Sequence, residues 1–272
     1  MKQPEVIRKG GLVFDRYEPA EQGALPPLVI LHGLFGSRDN WRSQARALAA
    51  GRVVLVPDMP NHGESVHTED FSYHTVAQQL WQALDELDVP RAALLGHSMG
   101  GKAAMAMALT ELDRCAALVV VDIAPRRYAP RHAGILAGMK AVIAAGVTSR
   151  SAGEKILAEH IPEKAVRLFL LKSLVLDPDH SSGGERYRWQ MNLQGIETHY
   201  ETLSAWPFAG VTWSGPALQV RGALSPYVSD EDTQLMRTFF PALRVETIAD
   251  SGHWVHAEQR ETFLSVVRGA VS

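Results

Sequence analysis

The 272-residue chain is poor in cysteine, in aromatic residues and in long apolar runs. Its one cysteine, Cys115, lies in an apolar run, so an internal disulfide is excluded and a buried thiol is expected. The longest apolar runs, such as CAALVVV at 115–121, fall far short of the roughly 20 residues that a membrane-spanning helix needs. The first residues, MKQPEVIRKGG, contain no apolar stretch, so we expect no secretory signal. Together these absences predict a cytoplasmic protein without a membrane span.

An excess of charge of either sign is also absent. The chain has 27 Lys and Arg against 30 Asp and Glu, a net charge of −3. This balance gives no electrostatic reason to expect nucleic acid or an anionic membrane as a partner. Histidine and acidic residues are scattered without a metal-ligand spacing such as H-x-x-x-H, so we expect no metal and no cofactor. A small molecule is left as the expected partner, and the oligomeric state stays open.

Short continuous apolar runs alternate with helical patterns along most of the chain. The runs are rich in Val, Leu and Ile without alternation, which is typical of parallel strands covered by helices on both faces. They lie at residues 27–33, 52–58, 91–97, 116–122, 216–222 and 243–249. Helical spacing occurs at residues 41–50, 74–87, 101–112, 231–240 and 259–271. The alternation predicts a doubly wound α/β sheet.

Residues 126–212 interrupt this rhythm. No strong strand is visible there, and the segment contains three helical patterns followed by a loop, at 135–146, 152–161, 164–176 and 177–185. We therefore expect a helical cap at 126–212, inserted before the penultimate strand, and a core made of residues 1–125 and 213–272. Extra scaffold helices are the alternative interpretation of the segment.

The stretch LLGHSMGGKAAM at 94–105 fits two motifs that each join a strand to a helix. Gly96, Ser98 and Gly100 fit G-x-S-x-G, the elbow that presents a serine nucleophile. Gly101 and Lys102 with Gly96 fit the start of a phosphate-binding loop, which needs a hydroxyl residue after the lysine to hold Mg²⁺. Alanine occupies that next position, and the unit is not the first of its kind in the chain. The stretch therefore indicates a nucleophile elbow, with Lys102 in the first helical turn and without a catalytic role.

A serine nucleophile needs a base and an oxyanion hole, and both have candidates among the loops. His253 follows the last predicted strand and precedes the last helix, the place that the triad order on this architecture gives to histidine. His256 is expected to be structural. The backbone N–H groups of Leu34, or alternatively Phe35, and of Met99 are the candidate oxyanion donors.

Six motifs in order resemble the α/β-hydrolase superfamily, and within it the small YbfF-type bacterial esterases. They are LHGLFGSRDNW, PDMPNHGES, GHSMGGK, VDIAP, WQMNLQGIETHY and SGHWVHAEQ, and they span nearly the whole chain. The resemblance implies an eight-stranded, mostly parallel sheet flanked by helices, a helical cap and cofactor-free hydrolysis of esters or thioesters.

The acid that orients the histidine has two candidates. Many proteins of this superfamily carry an Asp after the penultimate strand, but here that loop begins Ala-Leu-Ser, and Asp230 lies further on at a predicted helix start. Asp122 ends the strand next to the nucleophile strand, where a buried carboxylate needs a partner such as an imidazole. The resemblance also implies an acid at Asp122 and suggests that Ser225, at the usual acid position, joins the network of His253.

The sequence thus predicts a serine hydrolase that forms an acyl-enzyme on Ser98 and cleaves carboxylic esters or thioesters, including acyl-CoA. Other serine-dependent chemistry, such as C–C hydrolysis, lyase or perhydrolase activity, and a non-catalytic ligand-binding protein are the alternatives. The residues expected to contact the substrate are Phe35, Arg188, Trp189, Tyr227 and Trp254. Arg188 and Trp189 resemble family positions and have a second interpretation, in which they hold the cap to the core. Trp254 and Tyr227 have one in which they anchor their loops.

Overall fold

A computed structural model describes residues 3–19, 23–178 and 186–271, and most of its strands join one large sheet. In chain order the strands are β1 (Glu5–Lys9), β2 (Leu12–Tyr17), β3 (Leu28–Leu31), β4 (Val54–Pro57), β5 (Ala92–His97), β6 (Cys115–Val121), β7 (Leu174–Leu176), β8 (Tyr187–Trp189), β9 (Ala217–Gly222) and β10 (Leu243–Ile248). The large sheet has eight strands in the order β1-β2-β4-β3-β5-β6-β9-β10. The pairs β1–β2 and β2–β4 are antiparallel, and every other pair is parallel. The predicted eight-stranded, mostly parallel sheet is confirmed.

Helices cover both faces of this sheet. They are α1 (Arg42–Leu48), α2 (Tyr73–Asp85), α3 (Met99–Thr110), α4 (Ala133–Ala144), α5 (Arg150–Ala158), α6 (Lys164–Leu171), α7 (Leu193–Thr198), α8 (Tyr200–Ser204), α9 (Asp230–Phe239), α10 (Val255–Glu258) and α11 (Arg260–Val271). Successive strand residues point to opposite faces, so Leu28 and Ile30 pack with α1 and α11, while Val29 and Leu31 pack with α2 and α3. Burial on both faces explains why the central strands are apolar throughout.

The hairpin of β1 and β2 was not among the strands predicted from apolar runs. The strand β1, EVIRK, is mixed in polarity because it lies at the edge of the sheet and is mostly exposed. The strand β2, LVFDRY, is mostly buried, and its Asp15 pairs with Arg38 at 3.0 Å. Gly10 and Gly11 form the two-residue turn with φ of 56° and 75°, values that favour glycine. The Gly-Gly pair between two short β-rich segments is the sequence signal that predicts this hairpin.

The segment between β6 and β9 contains α4 to α8, and it also contains a small antiparallel sheet that the sequence did not predict. Leu174, Val175 and Leu176 of β7 pair with Trp189, Arg188 and Tyr187 of β8. The expected helix 164–176 was therefore too long, since α6 ends at Leu171. The helix ends early because the residues of β7 pair with a strand more than ten residues away. Local periodicity does not detect such pairing. The predicted loop 177–185 lies mostly outside the described residues.

Residues of this inserted segment share one apolar core with the sheet. Leu136 and Met139 of α4 and Leu170 of α6 are buried in the same cluster as Leu31 of β3 and Leu94 of β5. This shared packing holds α4 and α6 on the side of the molecule where β3 and β5 end.

Candidate active site

Ser98 lies on the turn between β5 and α3 with φ 54° and ψ −121°. This left-handed φ is uncommon for a residue with a side chain and is sustained by the surrounding packing. A Cβ on Gly96 would lie 2.0 Å from the carbonyl oxygen of Gly100, and a Cβ on Gly100 would lie 2.3 Å from that of Leu31. Only glycine fits at either position, so the G-x-S-x-G spacing is a steric requirement of this turn.

Asp122 and His253 meet at the ends of β6 and β10. Asp122 is fully buried, and its backbone has a left-handed φ of 52°. The Nδ1 of His253 lies 2.7 Å from Oδ2 of Asp122, and the N–H of Gly222 donates to Oδ1 at 3.2 Å. A proton on Nδ1 fits this contact and leaves Nε2 of His253 as an acceptor. The structure thus brings Asp122 and His253 together.

Ser225 belongs to the same network, whereas Asp230 does not. The hydroxyl of Ser225 donates to Oδ2 of Asp122 and accepts from the N–H of Tyr227 at 3.3 Å. Asp230 begins α9, is 84% exposed and pairs with Arg221 at 2.7 Å. Of the two candidate acids, Asp122 is the one placed against His253.

The backbone geometry separates the two candidates for the first oxyanion donor. The N–H of Phe35 donates to Nε2 of His62 at 3.2 Å, so it is already occupied. Within the described part of the chain, the N–H groups of Leu34 and Met99 donate no hydrogen bond. Met99 opens α3, where the first N–H groups have no partner inside the helix. Leu34 and Met99 are therefore the free donors beside Ser98.

Two buried histidines brace the loop that carries Leu34 and Phe35. His32 Nδ1 lies 2.9 Å from the carbonyl oxygen of Gly33, and its Nε2 accepts from the N–H of Met59 at 2.9 Å. His62 contacts the carbonyl oxygen of Pro60 through Nδ1 at 3.0 Å in the same manner. Burial lowers the pKa of His32 to about 4 and that of His62 to about 3. Both rings are neutral near pH 7 and serve as fixed hydrogen-bonding links.

His97 and His256 support the loop that carries His253. His97 Nε2 lies 2.8 Å from the carbonyl oxygen of His253, and the two rings are 4.6 Å apart. His256 stacks on Trp41 with ring centroids 4.3 Å apart. Burial lowers the pKa of His97 well below its ordinary value and that of His256 to about 3. Both rings are neutral supports, and for His256 this agrees with the structural role predicted from the sequence.

A cavity of about 670 Å³ opens above Ser98 and His253, between the core and the inserted segment. Its core side includes Leu34, Phe35, Tyr227 and Trp254. The inserted segment contributes a largely apolar wall from α4, α6 and their flanking residues. That wall consists of Arg131, His132, Ile135, Glu163, Ala165, Val166, Leu168, Phe169, Leu170 and Lys172. The volume lies in the range of small-molecule sites.

Tyr227 and Trp254 also contact other residues of the site. The ring of Tyr227 stacks on His253 with centroids 3.7 Å apart and planes 16° apart. Trp254 packs against Phe169 of α6 with ring centroids 5.5 Å apart. Tyr227 therefore flanks the imidazole, and Trp254 joins the loop of His253 to the opposite wall.

The structure corrects the substrate-contact expectation for Arg188 and Trp189, neither of which lines this cavity. Trp189 is 5% exposed, and its indole N–H donates to the carbonyl oxygen of Met139 at 2.9 Å inside the inserted segment. Arg188 Nε lies 3.5 Å from Oδ1 of Asp177. Both belong to the β7–β8 hairpin, which packs on α4 away from the cavity. Asn192 makes the contact to the core, donating through Nδ2 to Oδ1 of Asn61 at 2.9 Å.

The apolar wall was not among the substrate contacts predicted from the sequence. Ile135, Val166 and Phe169 lie on helices whose cavity-facing sides look like ordinary core-facing sides in a sequence. One sequence signal exists, because the short helix α6, KAVRLFLL, carries apolar residues on more than one side, and Leu168 is 50% exposed in the structure. Such a helix has an apolar side that the folded core does not cover.

Two features are absent from the described part of the chain. No group of three or more His, Cys, Asp or Glu residues there could hold a metal ion. No helix in the described ranges has both the length and the apolar character to cross a bilayer.

Comparison with known proteins identifies the fold family. A model of the alpha/beta hydrolase fold matches residues 26–259. The chain belongs to the α/β-hydrolase family. A solved structure described as a marine microorganism esterase superposes with a TM-score of 0.88 at 33% identity, covering 98% of this chain and 99% of that one.

Curated relatives of this α/β-hydrolase carry esterase and lipase names. Esterase YbfF of Escherichia coli is 38% identical over 243 residues, which cover 89% of this chain and 91% of the relative. The sn-1-specific diacylglycerol lipase ABHD11 of Mus musculus is 39% identical over 251 residues, which cover 89% of this chain and 80% of the relative. This protein is accordingly a carboxylic ester hydrolase.

Proposed function

We propose that this α/β-hydrolase cleaves its ester through an acyl-enzyme on Ser98, with His253 as general base and Asp122 as the acid that orients it. The observation that carries the proposal is the 2.7 Å contact between His253 Nδ1 and the buried carboxylate of Asp122. Ser98 and His253 line the same cavity, and Ser98 is presented on a strained turn at the start of α3. A serine, a histidine and an acid in these relations form the arrangement that activates a serine hydroxyl.

The proposed reaction proceeds in two halves. Nε2 of His253 accepts the proton of Ser98 as the serine oxygen attacks the ester carbonyl, and the N–H groups of Leu34 and Met99 donate to the oxyanion. His253 then returns the proton to the leaving alcohol. Water, deprotonated by His253, attacks the acyl-enzyme. The bond to the Ser98 oxygen then breaks, His253 returns the proton to that oxygen, and the carboxylic acid is released. The carboxylate of Asp122 stabilises the imidazolium form of His253 in both halves.

Ser225 acts in the proposal as a fourth member that holds Asp122 rather than as a reacting group. Its hydroxyl donates to the carboxylate oxygen that also contacts His253. Because it occupies one lone pair of that oxygen, it restricts the orientation of the carboxylate toward the imidazole. The N–H of Gly222 does the same from the other oxygen.

The substrate class follows from the cavity wall. Val166, Leu168 and Phe169 of α6 and Ile135 of α4 form an apolar surface facing Ser98, which suits the acyl chain of an ester. The names of the relatives, esterase and diacylglycerol lipase, agree with an acyl ester substrate. In this proposal the inserted segment 126–212 is the cap that forms the acyl pocket, and thioesters such as acyl-CoA are alternative substrates of the same site.

Labelling with a fluorophosphonate probe tests the nucleophile. The wild-type protein should be labelled covalently, and Ser98→Ala should not be labelled while retaining a cooperative thermal unfolding transition. Ser43→Ala is a matched control on the surface of the core and should be labelled normally. Labelling of Ser98→Ala at the wild-type rate, or no labelling of the wild type, would contradict the assignment.

Substrate preference is tested on two matched panels. Esters of p-nitrophenol and thioesters of CoA with the same acyl chains, from acetyl to palmitoyl, should give kcat/KM values that rise with chain length in at least one panel. The panel with the higher values identifies the leaving group that the site accepts. Values that are independent of chain length in both panels would contradict an acyl pocket formed by α4 and α6.

A further inference from the structure

Lys102 is a buried lysine without an acidic partner, one turn after Ser98 on α3. Its side chain is 2% exposed, and no carboxylate of the described ranges pairs with it. Its ammonium group donates instead to the carbonyl oxygens of Ser204 at 2.8 Å and Ala205 at 2.9 Å. A buried cation is costly unless it is well bonded, so these two contacts account for its presence. The proposed reaction assigns Lys102 no step.

The carbonyls that Lys102 binds end helix α8, the last helix of the inserted segment. The last carbonyl groups of a helix have no partner within it. Here they are bound by groups of the core: Tyr73 of α2 donates through its hydroxyl to Leu203 at 2.8 Å, and Lys102 takes the next two carbonyls. Ser204 also accepts from the N–H of Tyr128 at 3.0 Å. Three consecutive carbonyls therefore fasten the end of α8 to α2 and α3.

This junction lies beside the nucleophile. A second cavity, of about 60 Å³, is lined by Ser98, Met99 and Lys102 from the elbow and by Leu203 and Ser204 from α8. Helix α8 also contacts the start of α4, because the hydroxyl of its Tyr200 lies 2.6 Å from Nδ1 of His132, the residue before α4. The distance between the inserted segment and Ser98 is thus set by contacts with α3, the helix that begins directly after the serine.

We propose that Lys102 is a positioning residue that sets the distance between the inserted segment and Ser98 by bonding the end of α8 to α3. The inference rests on the proposed roles of Ser98 and of the inserted segment as the acyl-binding cap. Loss of the bonds lets α8 and the apolar wall shift from the serine, so binding of a long acyl chain weakens. The serine, histidine and oxyanion donors belong to the core and keep their reactivity.

The charge of Lys102 makes the junction sensitive to pH. Burial, together with the charges of Arg126 and Arg127, lowers the pKa of Lys102 to about 7. The ammonium group is bonded to the carbonyls below this pH, and above it the neutral amine donates more weakly. The other titratable groups that face Lys102 or the small cavity come from α2, from the segment after β6, from α8 and from the loop after β9. They are Tyr73, Tyr128, Arg131, His132, Tyr200 and Tyr227.

The test compares Lys102→Met, which keeps the length of the side chain and removes its donors, with the wild type. The variant should show a KM for a p-nitrophenyl ester of a long acyl chain raised about tenfold, the factor that loss of a charged hydrogen bond gives at the low end. The rate of fluorophosphonate labelling and kcat for the acetyl ester should stay within about twofold. In the wild type the long-chain KM should rise between pH 6 and pH 9, and in Lys102→Met it should be flat.

Two further variants complete the comparison. Lys140→Met removes an exposed lysine of α4 that pairs with Glu197 and should leave every value unchanged. Tyr73→Phe removes the bond to Leu203 and should raise the long-chain KM in the same direction, which keeps the test valid if Lys102→Met does not fold. An unchanged long-chain KM in folded Lys102→Met, or in Tyr73→Phe where Lys102→Met does not fold, would overturn the proposal. A fall in labelling rate as large as the rise in KM would overturn it as well. Absence of labelling in the wild type would instead overturn the role of Ser98.

Discussion

The floor and the roof of the cavity are held in place by different means. The floor, meaning the loops that carry Ser98, Asp122 and His253, is fixed by backbone geometry and hydrogen bonds. Ser98 and Asp122 have left-handed backbones, and Gly96 and Gly100 leave no room for a methyl group. The roof, meaning α4 and α6, is positioned mostly by apolar packing. Catalysis requires the reacting atoms to be positioned to within fractions of an ångström. Binding of an apolar chain tolerates small shifts of the side chains that contact it.

The difference predicts that changes in the floor act on kcat and changes in the roof act on KM and chain-length preference. Polar contacts also join the rest of the inserted segment to the core, such as Lys102 with Ser204 and Asn192 with Asn61. Polar junctions specify position because each donor requires its acceptor at a defined distance.

Asp122→Asn should produce the largest effect. The amide N–H of the new asparagine donates to Nδ1 of His253, so the ring proton moves to Nε2. Nε2 can then no longer accept the proton of Ser98, and kcat falls by about 10⁴-fold. Steady-state kinetics on a short-chain p-nitrophenyl ester measures this fall. Asp230→Asn, at the rejected acid position on α9, should leave kcat within about twofold. A large fall in kcat in Asp230→Asn, together with a normal kcat in Asp122→Asn, would show that Asp230 is the acid.

Acidification should destabilise the floor through its neutral histidines. Burial lowers the pKa of His32 to about 4 and of His62 and His256 to about 3, while the unfolded chain titrates near 6.5. Above pH 6.5 each histidine is neutral in both states and does not change the free energy of unfolding. As the pH falls from 6.5 toward the folded pKa, each lowers the free energy of unfolding by about 1.4 kcal/mol per pH unit. Urea unfolding between pH 4 and pH 8 measures the slope. His256→Phe keeps the stacking on Trp41 and should reduce the slope of unfolding free energy against pH by the contribution of one proton. A slope equal to that of the wild type would mean that the ring of His256 is protonated in the folded state.

Phe169→Ala should give the smallest change, confined to the roof. Removing the ring takes one side of the apolar wall and its contact with Trp254, so the KM for a long acyl ester should rise about tenfold while kcat for the acetyl ester stays within about twofold. Leu176→Ala, an exposed residue of β7 away from the cavity, is the matched control and should change neither value. A fall in kcat on the acetyl ester would show that the roof also positions the floor.

The site could be anticipated where chemistry is tied to short motifs. The elbow around Ser98 has a local signature because glycines two positions on either side are required by the turn itself. Asp122 and His253 follow apolar strands, and parallel strands bring their carboxyl ends to one edge. The choice between Leu34 and Phe35 could not be made from the sequence, since it depends on the bond from the Phe35 N–H to His62, 27 residues away.

The fold was predictable to a similar degree. Strands buried on both faces are visible as continuous apolar runs, and this held for the central strands of the sheet. Periodicity failed for the polar edge strand β1 and for β7, where the apolar run after Leu171 continues a helical pattern but pairs with β8. The expectation that Trp189 contacts substrate rested on resemblance to family positions, and its indole N–H instead donates to Met139 inside the inserted segment.

The sequence was sufficient to predict the α/β class, the strand–helix turn at Ser98 and the candidates His253 and Asp122, because each follows from residues close together in the chain. The structure was needed to show that Ser225, suggested by resemblance, bonds Asp122, that Arg188 and Trp189 face away from the cavity, and that Lys102 binds the end of α8. Those contacts join residues about 100 apart or lie within an inserted segment whose helices all carry apolar faces. Which of those faces meets the core and which meets a substrate is settled by long-range packing, and no local pattern encodes it.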